Sequence, residues 1–303
     1  MIDFKNAPVP FAPGDILIAA TDIDDSKIDF RNLKGQGRIL HFDANFNPKS
    51  MLWTGHEGLV VNLAVDPTTG ILYSTDPTGR HMVPFAPSGE KLADVDFLPD
   101  RPYGALFFLP DGTGYVGVHS ARGGDPDDAF GPAKLLVFSP KERTVRGLTL
   151  EIDGGHTGWM GVNYVALGAD GRTLHYASEG GRRILRYDIV AEKQLPDYLV
   201  FAEEDEDRTF GFGFLPDGGL VMVTGHSLVV RDAAGNEVLR KRLGDKGWTR
   251  AILARDGKSL FVVNFLEGRL QRRRISDGAI LFEYDVARKC SMCGLVEYMP
   301  PIG

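Results

Sequence analysis

Apolar runs broken by short polar turns recur along this chain in one order. An apolar run ends in a turn carrying Asp or Gly, and a second apolar run follows at once. The unit reads LVVNLAVDPTTGILYSTD at 59–76, YGALFFLPDGTGYVGVHS at 103–120 and VNYVALGADGRTLHYASE at 162–179. It returns as FGFGFLPDGGLVMVTG at 210–225 and RAILARDGKSLFVVNF at 250–265. Val, Leu, Phe and Tyr on both sides of an Asp/Pro/Gly turn predict a β-hairpin. The Asp carboxylate can bond the turn's own backbone, and Gly supplies the positive φ that a tight turn needs.

A second hairpin follows each of these. Examples are HMVPFAPSGEKLADVDF (81–97), AKLLVFSPKERTVRGLTL (133–150) and RRILRYDIVAEKQLPDYLVF (182–201). LVVRDAAGNEVLRKRL (228–243) and LQRRRISDGAILFEYDV (270–286) complete the set. One unit is therefore four antiparallel strands, A to D, in roughly 40 to 60 residues, which is the blade of a β-propeller. The turn aspartates Asp66, Asp111, Asp170, Asp217 and Asp256 mark five complete units. The N-terminus adds GDILIAATD (14–22), GRILHFD (37–43) and PKSMLWTG (48–55), which read as strands B, C and D without an A. CGLVEYMPP (293–301) parallels EGLVVNLAVDP (57–67) and supplies the missing strand. The expected fold is all-β: a six-bladed propeller closed by a C-terminal strand A at about 293–299 beside N-terminal strands B to D. The blades span 14–55 plus 293–299, 58–97, 102–150, 161–201, 209–243 and 249–286, one domain over 1–303. A seventh blade would require residues 1–13 to supply a strand. Closure removes the open sheet edge and joins the chain ends.

Composition agrees. Hydrophobic residues at 43% can fill the layers between sheets, and 37 Gly suit a turn-rich chain. No apolar run reaches the length of a membrane span. Residues 1–13 lack a basic and then apolar leader, so a soluble, cytoplasmic protein is expected, with a mature exported form left open. The net charge is −7, and the basic run Arg272 to Arg274 lies on a strand whose residues alternate between faces, so nucleic acid is not an expected partner.

The blade topology sorts the loops. A–B and C–D turns are short and stereotyped on one face, while B–C loops and D–A connections are longer and varied on the other. Binding residues favour variable loops on a rigid scaffold, which places the site on the second face, at the channel mouth. Ligand-binding candidates there are His56, Arg101, Tyr103, Trp159, His119, His226, Trp248 and Arg250. Catalytic candidates are Glu179, Asp207 and His156. Three acidic loops, 22–25, 125–128 and 203–207, hold eleven carboxylates and would give the mouth a negative potential. Cys290 and Cys293 form a lone CxxC, too few ligands for zinc and with no helix to activate a thiol.

At Glu57 and Asn163 the chain resembles the six-bladed gluconolactonase and senescence-marker-protein superfamily, which includes strictosidine synthase-like members; NHL-repeat proteins share part of the pattern. HEGLVVNLAVDPTTGILYSTDPTGR and VNYVALGADGRTLHYASEGGRRILRYDI look like two blades of that family. The resemblance implies that Glu57 and Asn163 hold a divalent cation (Ca2+, Zn2+ or Mg2+) that polarises a lactone or ester carbonyl. Gly211 stands near the family's Asp, a ligand and base, so Glu179 or Asp207 would have to replace it. The expectation is a small-molecule hydrolase, lactonase or lyase with its pocket in the channel mouth. The alternative is a non-catalytic propeller offering the same face to a protein, peptide or small ligand.

Overall fold

The computed structural model describes residues 4–30, 33–119, 128–131, 133–148, 150 and 161–301. It is a six-bladed β-propeller of antiparallel sheets, with a short 3-10 turn at Asp25–Lys27 among the described residues. The innermost strands are Asn62–Val65, Tyr103–Phe108, Tyr164–Leu167, Phe212–Phe214, Trp248–Leu253 and Met292–Glu297. Each touches the innermost strand of the next blade, in a closed cycle around a central channel.

The strands form where the pattern predicts. In the A–B turns, Asp111 Oδ1 accepts the Thr113 N–H at 2.9 Å and Asp217 Oδ1 accepts the Gly219 N–H at 2.9 Å. Gly112 and Gly218 between them adopt φ of 85° and 89°, which only glycine takes without strain. Closure is as expected. Met292–Glu297 pairs antiparallel with Ile16–Ala20, with Ile16 opposite Glu297 and Ala20 opposite Met292. No seventh blade forms. Residue Lys5 makes only an isolated parallel bridge to Ser50.

Five sheets have four regular strands. In the blade that begins at Asn62–Val65, residues 91–95 run along the outer edge of His81–Phe85 instead of forming a full ladder. The Leu92 N–H donates to Pro84 O at 2.9 Å and the Val95 N–H to Met82 O at 3.0 Å. Pro84 causes this. Its carbonyl faces the outer edge, but it has no N–H to return the bond.

Neighbouring blades pack apolar faces against each other; Leu17, Ile39, Leu72, Val83 and Phe85 form one such layer. The inner strands approach so closely that some positions admit no side chain. A Cβ on Gly211 would stand 2.5 Å from Arg250 Cα, and one on Gly294 would stand 2.8 Å from Val61 O. Among the described residues no helix is long and apolar enough to cross a membrane.

Candidate functional site

A cavity of about 110 Å3 opens on the face of the B–C and D–A loops. Phe30, Leu33, Leu59, Val61, Pro77 and Phe265 give it apolar walls, and Gly104, His119, Asn163, Tyr164, Glu179, Thr249, Arg250 and Cys293 line its depth. The buried Asp76 shapes one wall. Its Oδ1 accepts the N–H groups of Leu59, Thr78 and Gly79 at 2.9, 2.9 and 2.8 Å. A second cavity of about 300 Å3 lies further down the channel. Arg250 and Tyr164 line both, so they form the floor of the first and the roof of the second.

Arg250 crosses the channel. Its Nε donates to Cys293 O at 3.2 Å, Nη1 to Asn163 O at 3.4 Å and Nη2 to Val61 O at 3.3 Å, carbonyls from three other blades. The guanidinium carbon lies 4.5 Å from the Tyr164 ring centroid, a cation–π distance. Asn163 is 3% exposed, and its Oδ1 accepts the Glu179 N–H at 2.9 Å. That bond fixes the amide orientation, because the flipped form would set donor against donor. Burial pushes the Glu179 carboxyl above its ordinary value, against the opposing pull of Arg250. The side chain keeps partial exposure because it lines the open cavity. Burial also pushes the Tyr164 phenol and the Cys293 thiol well up, so both stay protonated at neutral pH.

Four of the residues expected at the mouth thus meet in one cavity: His119, Asn163, Glu179 and Arg250. Others do not. Arg101 is fully buried and clamps its own neighbourhood: Nε and Nη2 grip Asp128 at 2.7 and 2.5 Å, and other N–H groups hold Gly131 O and Ala133 O. Tyr103 is 2% exposed and donates its OH to Pro99 O. Trp248 is buried between blades with Val221, Leu228 and Val262. Asp207 pairs with Arg240 at 2.8 Å and lies 3.8 Å from His226, away from the cavity lining. His156 and Trp159 lie outside the described residues. Several carboxylates of the acidic loops have counter-charges among the described residues. Asp22 and Asp25 face Arg288, Asp22 also faces Arg38, and Asp128 faces Arg101.

The expected cation ligands are not brought together. Glu57 ends the outermost strand of its blade, Pro48–Gly58, and pairs with Lys34 at 3.1 Å, whereas Asn163 lies on the channel. Gly211 has no room for the third ligand of the resembled family, because the next blade's backbone fills it. The residues present do not fit that metal set. Elsewhere among the described residues, His56, His81 and Asp94 cluster between two blades. The two imidazoles stack at 3.7 Å and 15°, and Lys91 Nζ sits 3.1 Å from Asp94. Ring lone pairs lie in the ring planes, so parallel stacked rings cannot both aim at one ion. His56 Nε2 donates to Asp94 Oδ2 at 2.5 Å, and His56 is not among the residues that line the mouth cavity. Cys290 and Cys293 are free and buried.

Sequence reasoning missed Phe30, Leu33, Leu59, Thr249 and Phe265. They are ordinary apolar or small residues, and only the ring geometry turns them toward one space. No protein-family model matches the chain, and no curated protein matches it in sequence. Solved structures do match in fold. A chain in a nidogen/laminin complex superposes with a TM-score of 0.66 at 12% identity, over 95% of this chain and 100% of that one. Virginiamycin B lyase from Staphylococcus aureus, as a catalytically inactive variant with quinupristin, gives 0.58 at 12% identity over 98% and 97%. A selenomethionine form of that lyase gives 0.56 at 12% over 90% and 86%. At such identity the likeness concerns the six-bladed fold alone.

Proposed function

We propose that this propeller is a small-molecule enzyme of the hydrolase, lactonase or lyase type, with Glu179 as its proton-transferring group. The observation that supports this is a desolvated carboxyl, raised in pKa, facing a cavity that also holds a guanidinium and a buried amide. A carboxyl tuned upward by burial can hold a proton at a pH where it can also release it. Glu179 would pass a proton to or from the reacting oxygen or carbon. Asn163 Nδ2 and Arg250 would stabilise the negative charge that develops on oxygen. His119 lines the same cavity and is a further titratable group there. No step needs Glu57 or a bound cation.

The fold serves both classes of function in its solved relatives: one is named a lyase, and another sits in a protein–protein complex. Phe30, 55% exposed at the rim, favours a second reading in which the mouth holds a protein or peptide without chemistry. Turnover decides between them. A panel of γ- and δ-lactones and simple esters should yield a hydrolysable substrate, and Glu179→Gln should lower kcat by about 10²–10⁴-fold with little change in KM. Turnover unchanged by Glu179→Gln would end the catalytic assignment. A panel with no substrate would favour the binder.

A further inference from the structure

The floor of the mouth cavity combines three features. First, Arg250 has no carboxylate within 4 Å among the described residues: its N–H groups meet main-chain carbonyls, its guanidinium lies over the Tyr164 ring, and the Glu179 carboxyl, whose raised pKa favours the neutral form, attracts it only from farther off. Those contacts, at 3.2–3.4 Å, are longer than the roughly 2.7–2.9 Å of a charge-assisted bond, so they engage the guanidinium donors only weakly. Second, Asn163 Nδ2 is buried and has no hydrogen-bond partner. An orphaned buried donor costs about 1–3 kcal/mol, and a ligand acceptor would recover that. Third, there is room beside it. A Cβ on Gly104 would lie 3.6 Å from Asn163 Nδ2 and 3.3 Å from His119 Cβ, so the missing side chain leaves a space for an oxygen to reach the amide.

We propose that the cavity floor is an anion subsite that takes the carboxylate of a small amphiphilic molecule. Arg250 and Asn163 Nδ2 are its donors, and Phe30, Leu33, Leu59 and Phe265 seat its hydrocarbon part. The inference deepens the functional reading above and rests on the same cavity. One guanidinium and one amide match a monoanion; a phosphate dianion would leave charge and lone pairs unmet. An engineered apolar cavity of about 150 Å3 holds the six carbons of benzene, so by the same measure the 110 Å3 here takes a head of about four heavy atoms, enough for a carboxylate and the carbon that bears it. The remainder of the ligand reaches the rim.

Calorimetric titration with 4-phenylbutyrate, 4-phenylbutanol, 4-phenylbutylamine and phenyl phosphate tests it. The carboxylate should bind at roughly millimolar or lower concentration and at least about tenfold more tightly than the other three. Asn163→Asp keeps the shape but replaces the neutral amide donor with a carboxylate oxygen that can only accept when ionised, and should weaken carboxylate binding at least about tenfold. Gly104→Ala, which keeps every polar group but narrows the space, should weaken it too, with a melting temperature that shows the protein folded. Equal or tighter binding of the alcohol, amine or phosphate overturns the proposal, as does undiminished binding by folded Asn163→Asp or no carboxylate binding at all. Glu179→Gln separates the two readings, because binding needs no turnover. Carboxylate binding by wild type and Glu179→Gln without turnover of any substrate would sink the enzyme alone. Lactone turnover without carboxylate binding would sink this inference alone.

Discussion

Deleting residues 290–303 removes the innermost strand of the first blade, and the structure sets the size of the effect. The strand makes five paired positions with Ile16–Ala20, every one of which is fully buried. It also carries Met292, Leu295 and Tyr298, which are 0%, 4% and 2% exposed. At about 1.5–3 kcal/mol per buried side chain, these three contribute roughly 5–9 kcal/mol. Domains of this kind are stable by only about 5–15 kcal/mol in all. The truncated chain should therefore be unfolded or nearly so by far-UV circular dichroism, and lack a cooperative thermal transition. A graded version is Met292→Ala, which opens a cavity between the first and last blades at a cost of about 2–4 kcal/mol. At about 2 °C per kcal/mol for a chain of this size, Tm should fall by about 4–8 °C. A truncated chain that melts within about 2 °C of the full-length protein would refute the ring closure.

Two further outcomes follow from buried charges. Arg101→Met should destabilise by about 2–4 kcal/mol in urea titration, because Asp128 and two carbonyls lose their partner, while ligand affinity of the folded fraction stays unchanged; a loss of affinity without a loss of stability would return Arg101 to the ligand site. Burial holds the His175 imidazole down to about 4, so the folded state favours neutral His175 and its contribution is present above the unfolded value of about 6.5 and lost as pH falls toward 4. Wild type should lose about 3 kcal/mol more than His175→Phe across that window in urea titrations at each pH, and equal losses would show that the ring is not desolvated.

The fold was readable because each turn repeats its own chemistry. Asp111 with Gly112 and Asp217 with Gly218 specify the same hairpin at two points in the chain, and the tail phrase 293–301 copies the phrase that opens the second blade. The face that holds the cavity was readable for a related reason: short turns and long connectors alternate between the two ends of every blade. Which residue at a strand entry faces the channel was not readable. Side chains alternate along a strand, so one position of slip reverses inside and outside. Tyr103 turns into the blade interface while Gly104 lines the cavity, and the pairing is irregular between Tyr103 and Leu106. Trp248 is buried while Thr249 and Arg250 both line the cavity, because the register shifts between Trp248 and Arg250. A bulge of this kind lets two consecutive residues share a face, and no alternation rule anticipates it. Glu57 and Asp207 failed differently. Their partners, Lys34 and Arg240, stand 23 and 33 residues away, so local sequence could not show that both carboxylates were already occupied.

The same irregularity decides which residue can probe the site. Because the bulge carries Arg250 across the channel, its guanidinium ties carbonyls of three other blades together and also supplies the cavity's positive charge. Substituting Arg250 would remove structure and charge at once, and any loss of binding could come from either. Asn163 separates the two. Its Oδ1 holds the Glu179 N–H and its Nδ2 has no hydrogen-bond partner, so Asn163→Asp keeps the structural bond while it turns the donor that faces the cavity into an acidic acceptor. If the cavity binds through charge and an amide donor, that one substitution changes affinity while the propeller stays closed; if the cavity is only a gap left by ring packing, it changes neither.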